Sequence, residues 1–242
     1  MKFHFLGTGN AFGHGGRRRS HYLWEGSLTL LIDASYDALA GLRSIGRDVS
    51  SIDIIFLSHL HPDHFMALPQ FALENYYAIK SDECIPVYGP VGTEDMIHNA
   101  TKFFFNDEVT EHLTDLYEFH EIGPGKEITW EAGTLKTLDA DHTGNARMQI
   151  IQMDEVSLGY TGDTGMIEKA LHELFSADFT ITEASSGNHQ IPQHLTLHEL
   201  LEFEIPNTSR VYISHVGEST LAMSNQVEPP LYMSYDGLVI DL

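Results

Sequence analysis

One cysteine, Cys84, is too few for a disulfide, so no covalent staple holds this chain of 242 residues. Cationic side chains are scarce as well: 13 Lys and Arg stand against 35 Asp and Glu, a formal net charge of -22. That imbalance opposes non-specific attraction to nucleic acid, whose affinity comes largely from cations on phosphates. It is easier to reconcile with a small substrate. No apolar run approaches the ~20 residues of a membrane span. The start, Met1-Lys2-Phe3-His4-Phe5-Leu6-Gly7, alternates like a strand instead of showing a signal peptide's apolar block. A cytoplasmic location is the expectation. Linkers rich in Pro, Ser or Gly and low-complexity tracts are also lacking, so residues 1–242 read as one domain with a substantial core. Cys84 itself reads as a small buried apolar residue.

Histidine, by contrast, is plentiful, with 15 residues. In Ser58-His59-Leu60-His61-Pro62-Asp63-His64-Phe65, three imidazoles and a carboxylate fall within one short stretch. Such spacing cannot converge from one helical face, where neighbours lie three or four apart, nor from one strand face, which repeats every two. It requires a loop. Ile52 to Leu57 read as a buried strand before it, and Pro62 suits a helix start. Asp63 to Ile79 read as that helix, with a kink at Pro69. A His-rich surface loop is the alternative. Three later polar residues at strand ends weigh against it: His142 in Asp139-Ala140-Asp141-His142-Thr143-Gly144, Asp163 in Thr161-Gly162-Asp163-Thr164-Gly165, and His215 in Ile213-Ser214-His215.

With HxHxDH followed by His, Asp and His in that order, the chain resembles the metallo-β-lactamase-fold hydrolases over nearly its whole length. The resemblance implies an α/β fold of the α+β kind, a four-layer αββα sandwich with two divalent metal ions at the shared edge of its sheets. By that resemblance His59, His61 and His142 hold one metal, Asp63, His64 and His215 hold the other, and Asp163 bridges them. Imidazoles with carboxylates suit Zn²⁺, with Mn²⁺ or Fe²⁺ as alternatives. Asp33 resembles the carboxylate that braces the metal loop in that superfamily. His61 stands where the flavin-dependent diiron oxygen reductases carry Glu, which argues against redox use. No Cys accompanies Asp163 and His215, which removes the commonest β-lactam-cleaving subtype.

Two further segments narrow the class. Thr182-Glu183-Ala184-Ser185 and His194-Leu195-Thr196 resemble the HEAT and HxT motifs of the transfer RNA maturases (ribonuclease Z), in which the Glu holds the His and the His protonates the departing oxygen. Glu183 as a strand-end carboxylate and His194 as a helix cap are the plain alternatives. Only 20 residues separate His142 from Asp163, leaving no room for the maturases' long flexible arm. Pro86-Val87-Tyr88-Gly89-Pro90, Ile213-Ser214-His215 and the ending Ser234-Tyr235-Asp236-Gly237-Leu238-Val239-Ile240 instead resemble the small phosphodiesterases related to the phosphonate-pathway cyclic ribose phosphate hydrolase (PhnP-like). That relative's N-terminal Cys cluster is missing here. The expectation is a dinuclear zinc phosphodiesterase on a small or cyclic nucleotide-like ester, with Asp63 orienting the nucleophile and His194 the acid. A transfer RNA 3′-end endonuclease, a thioester, lactone or β-lactam hydrolase and a non-catalytic metal-binding protein are the rivals. A homodimer is implied by the relatives only.

Elsewhere, Gly7-Thr8-Gly9 is not a dinucleotide fingerprint, because no helix and acidic ribose partner follow it. Arg17, Arg18 and Arg19 read either as a phosphate-holding cluster or as a solvated loop. Phe103-Phe104-Phe105, ending a helix from Thr93, reads first as core and second as a pocket wall or dimer face. Phe56-Leu57-Ser58-His59 and Tyr212-Ile213-Ser214-His215 echo one another, each ending an apolar strand in Ser-His.

Overall fold

The structure is a computed structural model that describes residues 1–130, 132–206 and 208–242. Its first half runs β1 (Lys2–Gly7), β2 (His21–Glu25), β3 (Thr29–Ile32), α1 (Ala38–Ser44), β4 (Ile54–Phe56), α2 (Pro62–Phe65), α3 (Ala67–Glu74), β5 (Ile85–Gly89), α4 (Thr93–Phe104), α5 (Asp107–Leu116) and β6 (Tyr117–Glu121). The second half runs β7 (Glu127–Trp130), β8 (Gly133–Asp139), β9 (Arg147–Met153), β10 (Val156–Tyr160), α6 (Glu168–Leu174), β11 (Phe179–Glu183), α7 (Leu197–Glu202), β12 (Val211–Ser214), α8 (Glu218–Ala222), β13 (Leu231–Met233) and β14 (Val239–Asp241).

Alternation along the strands sets the layers, because successive side chains point to opposite faces of a sheet. Phe3, Phe5, Tyr22, Trp24 and Ile32 face one core, while Leu6, Leu23 and Leu31 of the same strands face another. A sheet apolar on both faces must be covered on both. Two seven-stranded sheets result, in the orders β14-β1-β2-β3-β4-β5-β6 and β13-β12-β11-β10-β9-β8-β7. Between them lies an aromatic core in which Phe3 and Trp24 meet Phe179 edge-on at 5.1 and 5.9 Å between ring centres. Outside the first sheet, Leu42, Leu68, Phe71, Ile97 and Leu113 bring in α1, α3, α4 and α5. Leu171, Leu174 and Leu200 bring α6 and α7 onto the second. This is the expected four-layer αββα sandwich. Among the described residues, no helix is long and apolar enough to cross a membrane.

The Ser-His echo has a structural counterpart. Strands β1 to β3 and β7 to β10 pair antiparallel, and in each sheet a run of three parallel pairings follows, through β6 in one and β13 in the other. Strand β4 is the second strand of its parallel run and β12 the third of the other, so the two are not exact counterparts, but each delivers its Ser-His pair to the same edge of the sandwich.

Three local expectations are corrected. The helix from Asp63 to Ile79 is not kinked at Pro69; it breaks at Met66 into α2 and α3, because the Ala67 N–H turns away to the Ala34 carbonyl at 2.9 Å. Pro69 then falls in the first turn of α3, where a missing N–H costs nothing, and residues 75–79 close the segment as a π-helical turn. Phe103 and Phe104 are 82% and 56% exposed, not core. The buried stripe of α4 is Ile97 and Thr101, and of the three aromatics only Phe105 continues it at the i+4 interval to pack on the core. Cys84 is exposed, in the loop that leads into β5.

Candidate active site

All nine residues singled out by the sequence as site residues come together at that sheet edge. Strand β4 is tied to β5 through the Leu57 N–H on the Tyr88 carbonyl, at 2.8 Å, and the chain then leaves it as the loop 58–61, carrying His59 and His61. Asp63 and His64 follow in the first turn of α2. His142 lies beyond β8, Asp163 beyond β10, and His215, in the left-handed region at φ +50°, beyond β12.

Which nitrogen of each imidazole faces inward is set by what the other one bonds. Asp33 follows β3 directly, also left-handed at φ +54°, fully buried, and its carboxylate accepts from the Ser58 N–H at 2.7 Å, Ser58 Oγ at 2.8 Å, Tyr160 OH at 2.6 Å and His64 Nδ1 at 2.7 Å. His64 therefore directs Nε2 inward. Ser58, having donated to Asp33, accepts from His59 Nδ1 at 3.0 Å, which bares His59 Nε2. His142 Nδ1 donates to the Gln193 carbonyl at 3.0 Å and bares its Nε2 in the same way. His61 meets Thr143 Oγ1 with Nε2 and turns Nδ1 inward, 3.1 Å from both His59 Nε2 and His142 Nε2.

Lone pairs brought this close repel one another unless a cation lies between them. Bonds of 2.0–2.1 Å in a tetrahedral zinc site separate neighbouring nitrogens by about 3.3 Å, close to the spacing here. The second group is equally unsatisfied: His64 Nε2, Asp163 Oδ1 and His215 Nδ1 are buried with no hydrogen-bond partner. Asp163 Oδ1 lies 3.5 Å from His64 Nε2 and 3.2 Å from His215 Nδ1, and Asp63 Oδ2 is 3.5 Å from His64 Nε2. The other oxygen, Asp163 Oδ2, faces the first group, 3.8 Å from His59 Nε2 and 3.9 Å from His142 Nε2. Two three-residue sets, His59–His61–His142 and Asp63–His64–His215, thus have the spacing of metal ligands, with Asp163 between them. The donor set fits divalent metal.

The electrostatics call for positive charge at the second set: burial works against the charged His64 imidazole, yet Asp163, Asp33 and Asp63 push its pKa well above the ordinary value, a charge that a metal ion would supply in the proton's place. Burial opposes ionisation of Asp163, yet the His215 and His64 imidazoles hold its carboxyl well below the usual range; Asp63 is likewise buried and likewise held down, chiefly by His64. Burial and the neighbouring imidazoles push His59 well down, which keeps its nitrogen available as a ligand.

Beside this cluster stands a second device. Glu183, at the end of β11, accepts from the Thr164 N–H at 2.7 Å and from Ser185 Oγ at 2.6 Å, and both its oxygens reach His194 Nδ1, at 3.0 and 3.1 Å. His194 Nδ1 is 4.0 Å from Asp163 Oδ2. With Nδ1 given to Glu183, Nε2 is the atom left to handle a proton. Burial works against the charged imidazole, but the Glu183 hydrogen bond and charge, with Asp163 and Asp63, raise its pKa to about 9. Bound cations would counter the Asp163 and Asp63 contributions and bring it down. A cleft of about 240 Å³ runs past His61, Asp63, His142, Asp163, His194 and His215.

A family profile described as anti-Pycsar protein Apyc1 matches residues 1–229. The chain belongs to this family. The Apyc1 of Bacillus phage 010DV004 is 22% identical over 233 residues, 90% of each chain. An uncharacterised protein of Mycobacterium tuberculosis (strain ATCC 25618 / H37Rv) is 27% identical over 172 residues, covering 69% of this chain and 62% of its own length, so the chain spans less than two thirds of that relative. The zinc phosphodiesterase ELAC protein 1 of Bos taurus is 26% identical over 216 residues, 85% of this chain and 58% of its own. Among solved structures, the metallo-β-lactamase fold protein YhfI of Bacillus subtilis superposes with a TM-score of 0.79 at 17% identity, over 99% of this chain and 98% of its own. A diphosphatase of the PhnP family gives 0.78 at 17% identity, over 100% and 97%. The fold is the metallo-β-lactamase fold.

The arginine cluster does not line the cleft. Arg17 is bound to Thr8 Oγ1 and the Ser234 carbonyl, Arg18 to the Leu6 carbonyl, and Arg19 to Asp37, so the three tie the Gly-rich loop to its surroundings and to the C-terminal segment. Tyr160 went unnoticed in the sequence, since its bond to Asp33 spans 127 positions and no local pattern encodes it. Asn10, Phe12 and Ile191, which also line the cleft, were missed for the same reason. Because Asp33 sets the tautomers of two imidazoles, Asp33→Asn is expected to weaken zinc binding about 10- to 100-fold, read by competition with a chromophoric chelator.

Proposed function

We propose that this chain is a dinuclear, zinc-dependent phosphodiesterase acting on a small or cyclic nucleotide-like phosphodiester, with residues 1–242 working as one domain. The observation that carries the reading is the pair of ligand sets sharing Asp163 with the Glu183–His194 pair immediately beside them. Divalent metal, when bound, supplies acidified water and neutralises charge on phosphoryl oxygens. The protein's own part follows from the geometry. Asp63, facing the cleft from the first turn of α2, orients the attacking water. Asp33, through Ser58 and His64, keeps the imidazoles turned inward. His194, held by Glu183, gives its Nε2 proton to the departing alkoxide, a leaving group poor enough to need one.

A transfer RNA endonuclease is the nearest rival, and the solved short form of human tRNase Z shares the fold. A net charge of -22 and three arginines already committed to internal bonds leave little to hold a long polyanion. The test is metal content per chain beside hydrolysis of bis(p-nitrophenyl) phosphate. Two zinc ions, and activity lost with EDTA and restored by Zn²⁺, are expected. A fully metallated protein inert to diesters would overturn the reading and direct attention to thioesters and lactones.

A further inference from the structure

The cleft is chemically divided. Ligand-type residues occupy one part, and Ala11, Phe12 and Ile191 give the remainder an apolar character, with no Lys or Arg among the residues that line it. Its volume, about 240 Å³, falls below the ~300 Å³ at which pockets begin to enclose a drug-sized ligand. A group carried beyond the phosphoryl centre would meet the apolar part of this cleft. Phe12 stands there, 77% exposed.

An exposed ring on a loose loop would mean little, but this loop is anchored on both sides of Phe12. Asn10 Oδ1 accepts from the Phe12 N–H at 3.1 Å and meets His14 Nδ1 at 3.3 Å. The Ala11 carbonyl accepts from Arg19 Nε at 3.2 Å and from Tyr36 OH at 3.0 Å. Arg19 is itself held by Asp37 and lies 4.6 Å over the Tyr36 ring. The chain turns back at Gly13, at φ +61°, where a Cβ would come within 2.9 Å of the Arg17 carbonyl. His14 supports the Phe12 ring edge-on at 5.7 Å. This accounts for the arginine-rich segment: it holds the loop tip in place. An aromatic face displayed on a fixed support loses little freedom when something flat settles on it.

We propose that Phe12 is a stacking platform for the nucleobase of the substrate, so that the site selects phosphate esters bearing a flat heteroaromatic group over bare sugar phosphates. The proposal rests on the phosphodiesterase reading for the reaction, and on Phe12 alone for the selectivity. Stacking is tolerant of base identity, since every base has a π-face; the platform selects for a base without choosing which one.

The test compares AMP with ribose 5-phosphate, which differ by the base, as ligands of the zinc-loaded protein by titration calorimetry. Wild type should bind AMP about tenfold more tightly. Phe12→Ala should erase that preference while leaving ribose 5-phosphate affinity unchanged, and Phe12→Trp should keep it. Equal affinities in wild type, no binding of either ligand, or an equal loss of both in Phe12→Ala would each overturn the proposal. Turnover of bis(p-nitrophenyl) phosphate by the same preparation judges the phosphodiesterase reading separately. Base-dependent binding without turnover would sink that reading and sustain this one.

Discussion

Asp163→Ala is expected to abolish turnover of phosphodiesters and to reduce bound zinc from two ions per chain to one or fewer. Two features of its position set the size of the effect. Its two oxygens face different ligand sets, so one substitution removes a ligand from both. It also supplies the charge that offsets the imidazoles packed about it, most directly His215 and His64. Metal at such a site contributes several kcal/mol of transition-state stabilisation, and each 1.36 kcal/mol is a factor of ten, so the loss in kcat should be at least about 10³-fold. Asp163→Asn keeps the shape and removes the charge, and should lose activity nearly as completely. Zinc by atomic emission, kcat on bis(p-nitrophenyl) phosphate and far-ultraviolet circular dichroism on the same samples make the check. A folded Asp163→Ala protein that keeps two zinc ions and a tenth of its activity would remove Asp163 from the bridging position.

Asp163 also shows why the candidate site was legible while most of its supports, Asp33 apart, were not. A metal cluster draws on residue types that are otherwise uncommon at the ends of apolar strands, so His59, His61, Asp63, His64, His142, Asp163 and His215 stand out one by one, and the sandwich then brings them together. The supports are ordinary residues made special by long-range contact. Tyr160 reads as a strand tyrosine until Asp33 meets its hydroxyl across the interface between the sheets. The left-handed turn at Asp33 has no glycine to announce it. The break at Met66 depends on the Ala34 carbonyl, a distant acceptor that outcompetes the local helical bond. Phe103 and Phe104 looked like core because aromatic runs usually are, but the phase of α4 was already set by Ile97 and Thr101.

The Glu183–His194 pair separates phosphodiester cleavage from thioester and lactone hydrolysis, through the leaving group. An alkoxide departing from phosphorus needs a proton, and a positioned acid supplies about 10²- to 10⁴-fold in rate. His194→Ala should therefore lose that much on 2′,3′-cyclic AMP, whose leaving group is a ribose hydroxyl. On bis(p-nitrophenyl) phosphate, whose nitrophenolate leaves without help, the same variant should stay within about threefold of wild type. Glu183→Gln removes the carboxylate that holds Nδ1 and sustains the charged imidazole. It should show the same leaving-group dependence in weaker form, because His194 is still present but less well held and less readily protonated. Zinc content, measured alongside, distinguishes an acid from a ligand, since His194 also lies within reach of His142 and Asp163. An equal loss on both esters with zinc depleted would make His194 a metal ligand. Two zinc ions retained with no loss on either ester would remove the need for an acid and favour a thioester or lactone, in which the departing group or the strained ring needs little protonation.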